Sequence, residues 1–251
     1  MDFIDQIILL IVSLLANFFS ALAGGGAGLL QLPALIFLGL PFSIALATHK
    51  VASVALGLGA TIRHMRESRL EKTVALIILM SGLPGVLLGA NIILLIPERT
   101  AQISLGILTI LLGIYSLLKP DLGIHKKNLH LSNFELFFGS ITLFFIGFLN
   151  GSLTSGTGLF CTLWLVRWFG IDYKTAVAYT LIFVGVFWNG LGALTLGFLS
   201  EIRWLWLPAL MIGSLIGGYL GAHFAIKKGN HIIKRVFEIT TLLVGFKLIY
   251  G

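Results

Sequence analysis

Charged residues are scarce in this chain. Asp, Glu, Lys and Arg make up 11% of its 251 residues, whereas about a quarter of an ordinary soluble domain is charged. Hydrophobic residues make up 57%, and 30 residues are glycine, which membrane helices tolerate because it lets their backbones approach closely. This composition excludes a water-soluble globule and predicts an all-α, polytopic membrane protein.

Cysteine and several catalytic motifs are also missing. The single cysteine, Cys161, can form neither an internal disulfide nor a cysteine cluster, so no metal ion or other cofactor is expected. The chain contains no G-x-x-x-x-G-K-[ST] for ATP phosphates, no H-E-x-x-H and no G-x-S-x-G. These absences exclude ATP-driven transport within this chain and give an enzymatic function little support.

The charge that is present is mostly basic. The chain has 17 Lys and Arg against 10 Asp and Glu, a net charge of +7. The basic residues lie mostly in short segments between apolar stretches, which is typical of membrane topology rather than of nucleic-acid binding. The start of the chain carries Asp2 and Asp5 without Lys or Arg, so it lacks the basic region of a cleavable signal peptide and predicts a permanent first helix.

Long apolar segments follow one another along the chain. A spanning helix needs about 20 mostly apolar residues, and eight candidates lie at about 3–23, 42–66, 73–96, 99–118, 134–150, 173–199, 203–226 and 231–250. Two shorter apolar pieces, about 28–39 and 158–169, follow glycine-containing breaks at 24–28 and 150–158. Non-helical backbone exposed to hydrocarbon is costly, so both breaks must be enclosed by protein or face a wet cavity.

The two halves of the chain repeat each other in order and spacing. Matched positions, 130 to 132 residues apart, include Gly28 and Gly158, Ala45 and Ala176, Gly85 and Gly217, Gly89 and Gly221, and Thr109 and Thr241. This pattern indicates duplication. It predicts a first transmembrane repeat over 1–118, a polar linker over 119–133 and a second transmembrane repeat over 134–251.

The basic residues favour an inverted second repeat. If the short helices re-enter without crossing, the halves are parallel and the basic residues divide 9 against 7, with Lys50 inside the membrane. If each short helix crosses, the second half is inverted, and the basic residues divide 13 against 3 between the two sides of the membrane. The positive-inside rule favours the second arrangement, with both termini outside, although crossing by so short a piece requires a thinned bilayer or shielding neighbours.

The paired breaks predict a binding site at the membrane midplane, between the halves. Interrupted helices of inverted repeats direct N–H donors and the positive end of the helix dipole at an anion there. A single glycine run more often serves close packing, but its duplication favours function. The predicted substrate-binding residues in the two breaks are Gly24, Gly25, Gly26, Gly28, Asn150, Ser152, Thr154, Ser155, Gly156 and Gly158.

Polar residues in neighbouring helices complete the predicted site. Lys50 lies in the apolar run FSIALATHKVASVALGLGA, and a lysine at a helix centre, which costs roughly 2.5–3.5 kcal/mol, usually marks a substrate or ion pathway. The alternative is a side chain that extends to the interface. We expect Lys50 to act as countercharge to an anion or to titrate together with His49. The remaining predicted binding residues are Gln31, Thr48, Thr180 and Asn189.

Two matching stretches carry a family resemblance. They are GGGAGLLQLPALIFLGLPFSIALATHKVAS and NGSLTSGTGLFCTLWLVRWFGIDYKTAVAYT. In these stretches the chain resembles the sulfite exporter TauE/SafE family of small two-repeat membrane transporters. The resemblance implies secondary transport of sulfur-containing anions, such as sulfite, sulfoacetate or related organosulfonates, across a prokaryotic plasma membrane. The second half has Leu181 where the first half has His49 and Lys50. The cysteines of related thiosulfate carriers are missing except for Cys161, so a thiosulfate relay is not expected.

These features together predict a secondary transporter that works by alternating access. The expected partners are a small anion and the lipid bilayer, not nucleic acid. The sequence is also compatible with a homo-oligomer. A small-anion channel is the first alternative, and saturable flux with counterflow would exclude it. An intramembrane enzyme is the second, for which only Glu238 is an acid deep enough in an apolar segment to serve. A structural scaffold would leave the two breaks unexplained.

Overall fold

Helices account for the regular structure of the chain. The computed structural model describes residues 3–67, 70–92, 98–126, 132–153 and 156–250, and no strand occurs among them. Helices satisfy their own backbone hydrogen bonds, as spanning a hydrocarbon layer requires. The predicted all-α fold class is confirmed.

Each half contains one short helix directly after its glycine-containing break. The first half comprises α1 (Phe3–Ala23), α2 (Gly28–Phe37), α3 (Phe42–His64), α4 (Lys72–Ile92) and α5 (Glu98–Leu117). The second half comprises α6 (Asn133–Ser152), α7 (Thr157–Trp168), α8 (Tyr173–Tyr179), a π-helical segment (Thr180–Trp188), α9 (Asn189–Leu199), a 3₁₀ turn (Trp204–Trp206), α10 (Leu207–Lys228) and α11 (Asn230–Tyr250).

Six helical stretches of the described residues are long and apolar enough to cross a membrane. They are α1, α3, α4, α6, the continuous stretch from α8 to α9, and α10 with its 3₁₀ turn, so the protein is a multi-pass membrane protein. α5 and α11 have 20 and 21 residues and pack against each other. α2 and α7 have 10 and 12 residues, about 15 and 18 Å of helix, roughly half the hydrocarbon thickness.

The sequence explains where several helices begin and end. Ser132 and Glu135 form a capping box at the start of α6, each side chain accepting from the other's backbone N–H, at 3.3 and 2.8 Å. Asp172 caps α8 by accepting from the N–H of Thr175 at 3.1 Å. The break after α1 contains three successive glycines with positive φ, a backbone region that residues with a Cβ disfavour.

Helices from opposite halves pack through matched glycines. Gly85 of α4 lies directly against the carbonyl oxygen of Phe144 in α6, and Gly217 of α10 lies in the same way against that of Leu14 in α1. The glycines four residues later in α4 and α10 repeat these contacts. Exchanging the two halves therefore maps one interface onto the other. This packing supports duplication, while the repeat boundaries stay predictions.

Polar contacts bring connecting segments of both halves to one end of the helices. The Lys126 ammonium pairs with Glu71 at 2.7 Å. The side chain of Asn230 donates to the carbonyl of Ile124 and accepts from the N–H of Lys174, both at 2.8 Å. The inverted arrangement requires Lys126 and Lys174 to share a side, whereas the parallel arrangement separates them. The orientation of the halves in the membrane stays a prediction.

The close approach of α10 to α1 leads to a stability prediction. Gly217→Ala would press a methyl group on the carbonyl oxygen of Leu14, and overpacking of this kind costs typically about 1–3 kcal/mol. We expect a lower melting temperature for the detergent-solubilised variant, measured as the fraction that stays monodisperse after heating. Gly190→Ala is the matched control, because a Cβ there meets nothing within 4 Å. Equal melting temperatures for the two variants would contradict the packing.

Candidate functional site

The two breaks meet at the centre of the molecule. Gly24, Gly25 and Gly26 have φ of 86°, 136° and 101° and turn the chain from α1 into α2. A Cβ on Gly25 would lie 2.6 Å from the Cα of Gly158 in the first turn of α7, so only glycine allows this approach. The N-terminal ends of α2 and α7 therefore lie side by side.

A small cavity of about 30 Å³ lies where the breaks meet. Eight of the predicted binding residues line it: Gly25, Gly26, Gly28, His49, Asn150, Gly158, Thr180 and Asn189. The cavity has room for about two water molecules, whereas ligand pockets are typically about 300–1,000 Å³. In this structure the cavity is therefore smaller than a typical ligand pocket.

The lining residues occupy matched positions of the two halves. The matched pairs, 130 or 131 residues apart, are Ser20 and Asn150, Gly28 and Gly158, His49 and Thr180, and Ser53 and Val184. Both halves thus present the same helices to the cavity. Their chemistry differs, because the first half contributes an imidazole and a hydroxyl where the second contributes a hydroxyl and an isopropyl group.

Lys50 lies directly behind the polar wall of the cavity. It is completely buried, and its Nζ donates to the carbonyl oxygen and to Oδ1 of Asn150 at 2.7 and 2.8 Å, and to Oδ1 of Asn189 at 3.3 Å. All three acceptors are neutral oxygens. None of the ion pairs within the described ranges includes Lys50, so no carboxylate there compensates its charge.

A chain of hydrogen bonds fixes the imidazole of His49. Nδ1 of His49 lies 2.8 Å from Oε1 of Gln31, whose Nε2 donates to the hydroxyl of Ser13 at 2.9 Å. That hydroxyl donates to the carbonyl of Leu210 at 2.6 Å. Nε2 of His49 lies 3.1 Å from the hydroxyl of Ser53. The predicted binding residue Gln31 therefore acts on the cavity wall through His49, and the chain ties α3, α2, α1 and α10 together.

The π-helical segment brings Thr180 and Asn189 to the same cavity. These residues are nine apart, about 2.5 turns of an α-helix, which would place them on opposite faces. A π-helix has wider turns with i→i+5 hydrogen bonds. The stretch contributes Thr180, Leu181, Val184, Gly185 and Asn189 to the lining of the cavity. π-helical turns occur frequently at functional sites, and no pattern in the sequence indicated this one.

Ser20 is a lining residue that sequence analysis missed. It is 2% exposed, and its hydroxyl is one of the few buried side-chain groups without a hydrogen-bond partner in the described part of the chain. Buried hydroxyls normally have a partner, and this one lines both the cavity and an apolar groove between α1, α2 and α11. Its position 130 residues before Asn150 is the signal that could have identified it.

Two predicted hydroxyls have partners elsewhere. The Thr48 hydroxyl accepts from the N–H of Arg203, in the segment before α10, at 2.9 Å. The Ser152 hydroxyl donates to the carbonyl of Phe148 in its own helix at 3.0 Å. Neither residue lines the cavity.

The other predicted residues belong to the breaks themselves. The carbonyl of Gly24 accepts from the Thr162 hydroxyl at 2.7 Å, and that hydroxyl lies 2.9 Å from the hydroxyl of Thr180. Gly156 has a φ of 79° and immediately precedes α7. Thr154 and Ser155 lie outside the described residues.

The sequence also matches a known family along nearly its whole length. The family model described as sulfite exporter TauE/SafE matches residues 9–248. The chain belongs to the sulfite exporter TauE/SafE family. No solved structure matches it.

Curated TauE/SafE relatives resemble the chain from end to end. A protein of Haemophilus influenzae named probable membrane transporter protein is 31% identical over 97% of this chain and 94% of its own length. Probable membrane transporter protein YfcA of Escherichia coli K12 is 28% identical over 97% and 89%, and YunE of Bacillus subtilis is 25% identical over 97% and 97%. The prediction of a membrane transporter rather than an enzyme is confirmed.

The contacts of Lys50 predict strong coupling with Asn150 in this TauE/SafE protein. Lys50→Met and Asn150→Leu should each lower the melting temperature in detergent, because each leaves a buried polar partner unsatisfied, at about 1–3 kcal/mol. The double variant should lose less stability than the sum of the losses of the two single variants, since residues in contact couple by about 0.5–3 kcal/mol. Lys50→Met combined with Thr195→Val, whose hydroxyl bonds only within α9, is the control and should be additive. Additivity in both pairs would contradict the contact.

Proposed function

We propose that this protein is a secondary transporter of small sulfur-containing anions, such as sulfite, sulfoacetate or related organosulfonates, and that it binds them in the cavity between the two breaks. The observation that supports this best is the buried ammonium of Lys50, which has only neutral oxygens around it. An uncompensated charge in a membrane interior is costly, and an anion in the cavity would compensate it.

The other donors around the cavity also suit an anion. Gly28 and Gly158, in the first turns of α2 and α7, line it, and a helix N-terminus offers unpaired N–H groups and a positive dipole end to an anion. The unpartnered hydroxyl of Ser20 adds a further donor. None of the lining residues that the structure describes is acidic. Sulfite and sulfonates present several negatively charged oxygens, which such a set of converging donors can share.

Substrate choice rests on the family and on the site together. The family description names sulfite export, and the resemblance of the two breaks extends this to organosulfonates. A cavity of about 30 Å³ favours a closed state in which helices of the two halves have come together around the site. Alternating access would then be movement of one half against the other. Export of an anion from a negative interior gains roughly 2.3 kcal/mol per charge per 100 mV.

Flux in proteoliposomes tests this function. The purified protein is reconstituted, and uptake of ³⁵S-labelled sulfite is followed under an imposed membrane potential, with sulfoacetate and sulfate as competitors. We expect saturable flux that unlabelled sulfite on the opposite side accelerates. Linear flux without this counterflow would indicate the channel instead. Absence of flux with sulfite, sulfoacetate and sulfate would overturn the substrate class.

Replacement of Lys50 tests the countercharge. Lys50→Ala should abolish saturable anion flux, because the cation nearest the cavity is gone. The control is Lys247→Ala, which removes a cation from the last turn of α11, outside the lining of the cavity. Flux of both variants is normalised to the amount of folded protein recovered by size-exclusion chromatography. Wild-type flux in Lys50→Ala would contradict the assigned role.

Ser20 provides a finer test of the anion contact. Ser20→Ala should raise the KM for the transported anion about tenfold with little change in melting temperature, because a hydrogen bond to a charged group contributes about 1.5–3 kcal/mol and the hydroxyl has no protein partner to lose. Ser152→Ala is the matched control, since that buried serine bonds to its own helix. Equal KM values for the two variants would place the anion away from Ser20.

A further inference from the structure

A polar cavity and an apolar groove lie side by side where α5 of the first half meets α7 of the second. The polar cavity, about 360 Å³, lies between the turn after α5 and the end of α7, and its lining includes Lys119, Asp121 and His125. The apolar groove, about 420 Å³, lies between α5, α6 and α7. Tyr115 and Arg167 line both, so the two spaces lie next to each other.

The shared residues suit a phosphate at the junction. Nε of Arg167 donates to the hydroxyl of Tyr115 at 2.6 Å, which orients the guanidinium and leaves its terminal nitrogens for a ligand. No ion pair within the described ranges includes Arg167 or Lys119. Arginine presents parallel N–H groups that match phosphate oxygens. Asp121 is the one acid among the residues around the polar cavity.

We propose that these two adjacent spaces together bind one anionic phospholipid, with its phosphate at Arg167 and Lys119 and an acyl chain in the apolar groove. The groove is lined by side chains such as Leu112, Phe145 and Trp164, which offer an acyl chain the environment of hydrocarbon. Both basic residues belong to the side that the positive-inside rule predicts to be cytoplasmic, where basic pockets between transmembrane helices bind anionic headgroups.

A second apolar groove, at the matched place in the other half, differs from the first in the charge of its lining. It lies between α1, α2 and α11 and has a volume of about 360 Å³. Four of its lining residues are counterparts of residues in the first groove: Ala16 for Ile146, Phe19 for Leu149, Leu30 for Phe160 and Val244 for Leu112. None of its lining residues within the described part of the chain is charged. That groove can accept an acyl chain without selecting a headgroup, so the selectivity of the first groove comes from Arg167 and Lys119.

Lipid binding to the detergent-solubilised full chain tests the site. Dioleoylphosphatidylglycerol and dioleoylphosphatidylcholine are titrated separately and followed by native mass spectrometry and by the melting temperature. For the wild type we expect one phosphatidylglycerol to bind about tenfold more tightly than phosphatidylcholine, with a preference that weakens in high salt because it is electrostatic. Equal affinities would overturn the proposal.

Variants separate the headgroup contact from the groove. The double variant Arg167→Gln, Lys119→Gln should bind phosphatidylglycerol no more tightly than phosphatidylcholine. The control is the double variant Lys227→Gln, Lys228→Gln, which removes the same charge at the end of α10. It should keep the preference for phosphatidylglycerol. Thr142→Trp, which places an indole in the groove, should weaken binding of both lipids. A preference retained in the first pair, or lost equally in the control, would overturn the proposal.

A soluble ligand distinguishes a lipid from a free phosphate. Glycerol 3-phosphate at millimolar concentration should neither raise the melting temperature nor displace phosphatidylglycerol, because it has no acyl chain for the groove. Protection by glycerol 3-phosphate equal to that by phosphatidylglycerol would make this a site for soluble phosphates and overturn the lipid assignment. The test measures lipid binding alone, so its outcome is independent of the transported anion.

Discussion

The need to enclose non-helical backbone within a membrane governs this structure. Hydrocarbon offers no hydrogen bonds to N–H and C=O groups, so irregular backbone is tolerated only against protein or a wet cavity. The protein meets this constraint by placing its two breaks against each other, with Gly25 in contact with Gly158. The beginnings of α2 and α7, and the polar groups of α3 and α6, are thereby gathered at one point.

The same contact accounts for how the halves are assembled. Each break is enclosed mainly by helices of the other half, and matched glycines let α1 approach α10 and α4 approach α6 at backbone distance. In lipid, such close packing of small residues supplies much of the attraction between helices. Neither half could form the cavity alone, because Lys50 of the first half makes its hydrogen bonds with Asn150 and Asn189 of the second. A relative movement of the halves would therefore alter the site.

The two halves contribute matched positions but different chemistry to the cavity. Matched positions supply its wall, yet His49 and Lys50 of the first half correspond to Thr180 and Leu181 of the second. The architecture is repeated while the charge is not. The same holds at the periphery, where two matched apolar grooves differ by the presence of Arg167 beside one of them.

The sequence by itself determined the membrane class, the helical fold and the positions of the short helices, expected at about 28–39 and 158–169 and found at 28–37 and 157–168. It also indicated eight residues that line the central cavity, because glycine breaks and intramembrane polar residues are conspicuous against an apolar background. The TauE/SafE family was likewise recognisable from the two breaks.

Tertiary structure alone decided which polar groups face one another. The sequence does not show that the hydroxyl of Ser20 lacks a hydrogen-bond partner. Nor does it show that the hydroxyls of Thr48 and Ser152 bond to groups away from the cavity. An α-helix of 3.6 residues per turn would place Thr180 and Asn189 on opposite faces. The π-helical segment between them brings both to the cavity. Local sequence specifies helices through backbone hydrogen bonding and hydrophobicity, whereas which side chains face one another depends on contacts between residues 100 or more positions apart.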